Sequence, residues 1–292
     1  MSTIAFIGLG NMGRPMVGFL LKAGHQLRIY ARRPEVFQNE AKHLIEAGAV
    51  ACSSPAEAAQ GADFIITNVM GTQDVAEVLH AGSDAVIQTA KPGAICIDHS
   101  TIDPQSTKDI AAAMAVKGIK FVDAPVSGGV KAATEGTLVM MFGGADDDVA
   151  QVKEIVKSYT KTVTHIGGVG HGQVAKLCNQ IAQVINIQGV AESLRFAAAN
   201  GADLQKVFEA ISGGMAGSRM LDLMGPKMVA RDFKAGIEAR LHAKDFFLVE
   251  DVANEAGIQM PALQTVALQL EKLMESGWGY DDTSSLLRVL EA

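Results

Sequence analysis

Gly8-Leu9-Gly10-Asn11-Met12-Gly13 follows directly on an apolar run at residues 4–7 and precedes a helical pattern at residues 14–23. No other stretch restricts the fold of this chain as much. G-x-G-x-x-G alone is a weak signal, but between a first strand and a first helix it reads as a dinucleotide-binding turn. The glycines allow a tight turn and a close backbone approach to a pyrophosphate, whose charge sits at the helix N-terminus.

The first half keeps up this alternation. β-type runs at residues 26–30, 64–69, 94–97, 120–122 and 138–142 are separated by helical stretches that include 55–60, 74–81 and 105–117. Several runs are almost continuously apolar, as strands covered on both faces must be. Repeated strand–helix–strand order predicts an α/β, doubly wound parallel sheet, completed by a strand at 162–166. The glycine cluster at 167–172 then marks a change of texture. One long helical pattern runs from 173 to 200, closed by Asn200-Gly201, and further helices are expected at 204–211, 243–256 and 263–276. The expected domains are therefore an α/β unit over residues 1–166 and an all-α unit over 167–292.

Which dinucleotide binds is read from the end of the second strand. An acidic residue there ordinarily holds the ribose 2′-hydroxyl of NAD. Here the chain reads Tyr30-Ala31-Arg32-Arg33, with no carboxylate and two guanidiniums suited to a phosphate. NADP(H) is favoured over the alternative of two solvated loop arginines.

Two more stretches carry chemistry. Asp123-Ala124-Pro125-Val126-Ser127-Gly128-Gly129 offers a hydroxyl and unobstructed backbone N–H groups, a shape suited to a small carboxylate or simply to a turn. Lys176, Asn179, Gln180 and Gln183 fall at i, i+3, i+4 and i+7, so they share one polar stripe on the long helix. Lys176 is then either a snorkelling surface lysine or, in a cleft, a proton donor to an oxygen.

Charge and cysteine usage narrow the partners. With 25 Lys+Arg against 32 Asp+Glu the net charge is −7, which gives no attraction to nucleic acid or anionic lipid. Cys52, Cys96 and Cys178 are odd in number and far apart; they read as small buried hydrophobes in a reducing, cytoplasmic setting. No signal peptide or membrane span is expected, since no apolar run reaches about 18 residues. No His/Cys/Asp/Glu cluster has metal-ligand spacing.

The stretch from Phe6 to Met16, including Arg14-Pro15-Met16, resembles the signature of the β-hydroxyacid dehydrogenase family, which contains 3-hydroxyisobutyrate dehydrogenases and tartronate semialdehyde reductases. Asp123 to Gly129 resembles its substrate loop, Gly170 to Asn179 its catalytic helix start, and Lys244-Asp245 its late lysine motif. Gln180 after Asn179, the run Gly213 to Ser218 and the segment Leu241 to Asp245 resemble the reductase branch. Asn68-Val69-Met70-Gly71 departs from the pattern in lacking a proline, and Arg219 in standing where a smaller residue is usual.

The resemblance implies a Rossmann-type domain, an all-α C-terminal domain and a substrate cleft. It implies NADPH-dependent reduction of a short aldehyde acid, first tartronate semialdehyde, with succinic semialdehyde, glyoxylate and 3-hydroxyisobutyrate as alternatives. Lys176 is expected as proton donor with Asn179 beside it, and Ser127, Gly128, Gly129 and Gln180 as substrate contacts. Gly8, Leu9, Gly10, Asn11, Met12, Gly13, Arg32, Arg33, Val69, Met70, Thr101 and Lys244 are expected around the cofactor. A non-catalytic NADP-binding redox sensor is the alternative of another class, against which Lys176 on its polar stripe argues, since a sensor needs no proton donor. The mostly apolar long helix suggests a homo-oligomer.

Overall fold

The computed structural model describes residues 1–292, which cluster into two compact units, Met1–Lys176 and Leu177–Ala292. The first unit is built on strands β1 (Thr3–Ile7), β2 (Gln26–Tyr30), β3 (Val50–Ala51), β4 (Phe64–Thr67), β5 (Ile95–Asp98), β6 (Lys120–Asp123), β7 (Val126–Ser127), β8 (Leu138–Gly143) and β9 (Thr160–Gly167). They form one sheet in the order β3-β2-β1-β4-β5-β6-β8-β7, with β9 beside β8. Every pairing from β3 to β6 is parallel. The sheet is not parallel throughout: β8 runs antiparallel to β6 and β7, and parallel to β9. The two-residue β7 is too short to show in a hydropathy pattern.

Around the sheet lie α1 (Gly13–Lys22), α2 (Lys42–Glu46), α3 (Pro55–Ala59), α4 (Thr72–Ala76, continued by a π-type turn at Glu77–Ala81), α5 (Pro104–Ala115), α6 (Gly129–Glu135) and α7 (Asp146–Val156). β1 explains the continuous apolar runs. Ile4 and Phe6 pack into one core, while Ala5 and Ile7 pack into a second. Successive strand side chains point to opposite faces, and both faces are covered.

The helix α8 (His171–Ala199) leads out of the first unit, and α9 (Leu204–Ser212), α10 (Arg219–Ala230), α11 (Ala239–Glu255), α12 (Pro261–Glu275) and α13 (Leu286–Val289) follow. The second unit's core joins Leu177, Val184, Ile187 and Leu194 of α8 to Phe246 and Leu270. No helix is long and apolar enough to cross a membrane. α10 is absent from the hydropathy reading because Gly225-Pro226 looks like a break. Tertiary packing overrides it: a Cβ on Gly225 would stand 2.6 Å from Cδ2 of Phe208, so the bare glycine lets α9 close against α10. Cys52 and Cys96 are buried, but Cys178 is exposed, correcting the expectation for that residue.

Candidate active site

The glycine turn is held from behind. Gly8 donates its N–H to the Tyr30 carbonyl at 3.0 Å, and Asn68 donates to that of Ile7 at 2.9 Å. A Cβ on Gly8 would lie 2.2 Å from the Asn68 oxygen, and one on Gly13 2.1 Å from the Gly8 oxygen. Side chains are therefore excluded on the protein side of the turn. Gly10 is exposed, and a Cβ there would meet nothing within 4 Å. Leu9 is buried, while Asn11 is exposed and accepts a hydrogen bond from Arg14. Met12 packs half-buried against the core below. Val69 follows β4 and donates its N–H to Oγ of Ser100 at 2.9 Å, so the β1, β4 and β5 ends form one rim. Met70 and Thr101 lie on that rim, exposed and half-buried respectively.

Arg32 and Arg33 follow β2 and are both exposed. The guanidinium of Arg32 lies 3.2 Å from Oδ1 of Asp74 on α4. Asp74 is thus a carboxylate brought by tertiary structure to a strand end whose own sequence lacks one.

The ends of β5 and β6 carry buried polar groups. Asp98 accepts from the Thr67 hydroxyl at 2.7 Å and from the Ser100 N–H at 3.1 Å, and burial pushes its carboxyl up to about 6. His99 donates from Nδ1 to the Ala124 carbonyl at 2.9 Å, which leaves Nε2 to accept from the Tyr159 hydroxyl at 3.0 Å. This neutral ring, fully buried, is held down to about 4 by desolvation. Ser127 sits half-buried on β7. Gly128, at φ +123°, and Gly129, at φ +65°, turn the chain into α6 through backbone that a side chain would strain.

Lys176 is 8% exposed, so it is no snorkelling surface residue. Three residues on, Asn179 donates from Nδ2 to Oε1 of Gln180 at 2.9 Å and to Oε1 of Gln183 at 3.3 Å. Gln180 donates in turn to Oδ2 of Asp245 at 2.7 Å, and Lys244 pairs with Oδ1 of the same carboxylate at 2.9 Å. Gln183 donates to Nε2 of His242 at 2.8 Å, and His242 reaches Oγ1 of Thr283 at 2.8 Å through Nδ1. One chain of side-chain bonds within the second unit therefore fixes the Asn179 amide with both N–H groups used and Oδ1 as its accepting end. Gln180 and Lys244, expected at substrate and cofactor, both engage Asp245.

Asp98, His99, Asp123, Gln173, His242 and Asp245 were not picked out as site residues from the sequence. His242 and Asp245 fall inside the Leu241 to Asp245 segment and three residues apart on α11, so the segment and the spacing were the available signals. Asp123 and Gln173 stand in the quoted Asp123 to Gly129 and Gly170 to Asn179 stretches, but their partners, like those of Asp98 and His99, lie at separations that no local pattern reports. No group of three or more His, Cys, Asp or Glu side chains is placed to hold a metal ion.

Residues 3–167 match the family model described as the NAD binding domain of 6-phosphogluconate dehydrogenase. Residues 170–290 match that described as NAD-binding of NADP-dependent 3-hydroxyisobutyrate dehydrogenase. The chain is 36% identical to 2-hydroxy-3-oxopropionate reductase of Escherichia coli K12, over 99% of its own length and 97% of that protein's. It is 33% identical to an NAD-dependent L-serine dehydrogenase of Pseudomonas aeruginosa, over 100% and 98% of the two chains. The solved structure of Mycobacterium tuberculosis 3-hydroxyisobutyrate dehydrogenase with L-serine superposes with a TM-score of 0.91 at 30% identity, covering 100% of both chains. A glycine turn on a mostly parallel sheet, continued by a helix bearing a buried lysine, and likeness along the whole chain agree: this protein belongs to the 3-hydroxyisobutyrate dehydrogenase family of NAD(P)-dependent β-hydroxyacid dehydrogenases.

Proposed function

We infer that the chain is an NADPH-dependent reductase of a short carboxylate-bearing aldehyde, tartronate semialdehyde to glycerate first among them. The observation that carries this reading is Lys176, an 8% exposed ammonium on the helix face it shares with Asn179. Lysine is rarely buried without a role for its charge. The identity to the E. coli reductase supports the choice of substrate. The open space before Gly10, behind which no side chain fits, suits a pyrophosphate.

Bound NADPH would supply the hydride for the carbonyl carbon. The chain's own residues do the rest. Ser127 and the N–H groups at Gly128 and Gly129 hold the carboxylate, and Asn179, its amide fixed by Gln180 and Gln183, orients the substrate oxygen. Lys176 gives that oxygen a proton, or removes one in the reverse direction, and its positive charge stabilises the developing alkoxide. Gly8 to Gly13, Arg32, Arg33, Val69, Met70, Thr101 and Lys244 would hold the cofactor. A homo-oligomer is expected as well, because α8 leaves Val174 and Phe196 44% and 72% exposed; light scattering tests it.

The test follows absorbance of NADPH or NADH against two- to four-carbon aldehyde acids, and of the oxidised cofactors against L-serine and 3-hydroxyisobutyrate. Tartronate semialdehyde with NADPH should give the highest kcat/KM; a higher value for L-serine or 3-hydroxyisobutyrate overturns the substrate. Lys176→Met should lower kcat by about 10² or more with NADPH affinity kept. Retention of more than about a tenth of kcat would remove Lys176 from the chemistry.

A further inference from the structure

α8 starts without an acceptor of its own for all its first N–H groups, as every helix does. The acceptor comes from far along the chain. Asp123, at the end of β6, accepts from the N–H of Gly170 on Oδ1 at 2.7 Å and from that of Gln173 on Oδ2 at 2.9 Å. The Gln173 side chain continues the attachment to the next strand end, donating to the Ser100 carbonyl at 2.8 Å and accepting from the Ile102 N–H at 3.2 Å.

The carboxylate has no room to shift. A Cβ on Gly172 would lie 2.7 Å from its Oδ2 and 2.5 Å from the Met141 carbonyl oxygen, and one on Gly143 2.5 Å from its Oδ1. Lys176 lies three residues beyond Gln173, about 4.5 Å along the helix axis. Ser127 lies four residues beyond Asp123 on the same connection. One boxed side chain therefore stands between the start of the lysine's helix and the substrate loop.

We propose that Asp123 is a positioning residue of the reduction, its carboxylate clamping the first turn of α8 and thereby setting Lys176 relative to the loop of Ser127. The proposal rests on the reading of Lys176 as proton donor. A group that merely filled space here would need no charge. The charged group facing Asp123 across the sheet is Asp98, its register partner on β5; β8 and the helix start present backbone. Burial pushes the Asp123 carboxyl up to about 6, so mild acid discharges the clamp.

The experiment measures kcat, KM and NADPH affinity from pH 5 to 8 for the full-length wild type, Asp123→Asn, Lys176→Met and the double variant, using the best aldehyde acid of the screen. Asp123→Asn should lower kcat on the order of 10- to 100-fold, the size of effect expected from a misplaced catalytic group, with NADPH affinity kept. It should also lose the wild-type acid limb near pH 6, and add nothing further to Lys176→Met. An unchanged kcat, an acid limb that persists in Asp123→Asn, or losses that multiply in the double variant would overturn the proposal. Failure of the underlying reading looks different: Lys176→Met itself stays active. If Asp123→Asn does not fold, hydrogen exchange on the wild type decides. The amides of Gly170 and Gln173 should lose protection at pH 5 relative to pH 7.5 while those of β1 and β4 keep it, and equal retention overturns the clamp.

Discussion

With Arg32 proposed at the 2′-phosphate, the contact between Arg32 and Asp74 makes cofactor choice testable. The pair is 3.2 Å apart, with side chains 79% and 29% exposed, and exposed ion pairs are worth about 0–1 kcal/mol. A charge-assisted bond from Arg32 to a 2′-phosphate is worth about 1.5–3 kcal/mol. Exchanging one partner for the other therefore leaves a net preference of about 0.5–3 kcal/mol, roughly 2- to 160-fold in affinity for NADPH over NADH. Arg32→Ala should raise the NADPH Kd by about that factor and leave NADH within about two-fold. Asp74→Asn should do the opposite. It frees the guanidinium and removes a like charge from the phosphate, lowering the NADPH Kd by up to about five-fold for about 1 kcal/mol. Fluorescence titration of each variant with both cofactors measures this, and kcat/KM provides the check under turnover. If Asp74→Asn weakens NADPH as Arg32→Ala does, Asp74 supports the arginine and the competition argument is wrong. Equal Kd values of the wild type for NADPH and NADH would refute the assignment of Arg32 to the phosphate.

Ser127→Ala should mainly raise KM for the aldehyde acid; equal turnover of an uncharged aldehyde of the same length would contradict a carboxylate site there. Tyr159→Phe leaves Nε2 of a fully buried His99 without its partner and should cost about 1–3 kcal/mol in urea unfolding, a loss below 0.5 kcal/mol counting against the bond. His99 also predicts a pH dependence. Its folded value is lowered from 6.5 to about 4, so between those values the unfolded chain binds the additional proton. Its contribution to stability is intact above pH 6.5 and falls as pH drops to 4, by roughly 3 kcal/mol. Wild type should therefore lose that much relative to His99→Gln between pH 6.5 and 4, and a difference independent of pH would refute the assignment.

The glycine turn, the strands β1, β2, β4, β5, β6 and β8, and α8 were legible because their signals are local. A glycine pattern in a turn, an apolar run with both faces covered and the stop at Asn200-Gly201 act within a few residues. The stripe of Lys176, Asn179 and Gln183 was legible for the same reason, since helical periodicity alone puts them on one face. β7 and α10 were not. β7 is two residues recruited by β8, and α10 runs through Gly225-Pro226, where the bare glycine leaves room for Phe208 of α9.

What the linear order could not contain is the partner of each buried polar group. Asp123 meets amides 47 and 50 residues away, His99 meets a hydroxyl 60 away, and Gln180 meets a carboxylate 65 away. A carboxylate looks the same in a sequence whether solvated or sealed, and only folding removes the water that would otherwise satisfy it. So the sequence by itself determined the glycine turn, the strand–helix alternation and the lysine stripe, which rest on short-range backbone geometry and periodicity. The tertiary structure alone decided that Asp74 meets Arg32, that Asp123 holds the start of α8 and that Asn179 is fixed through Gln183 and His242, because desolvation acts between groups brought together only when the chain is compact.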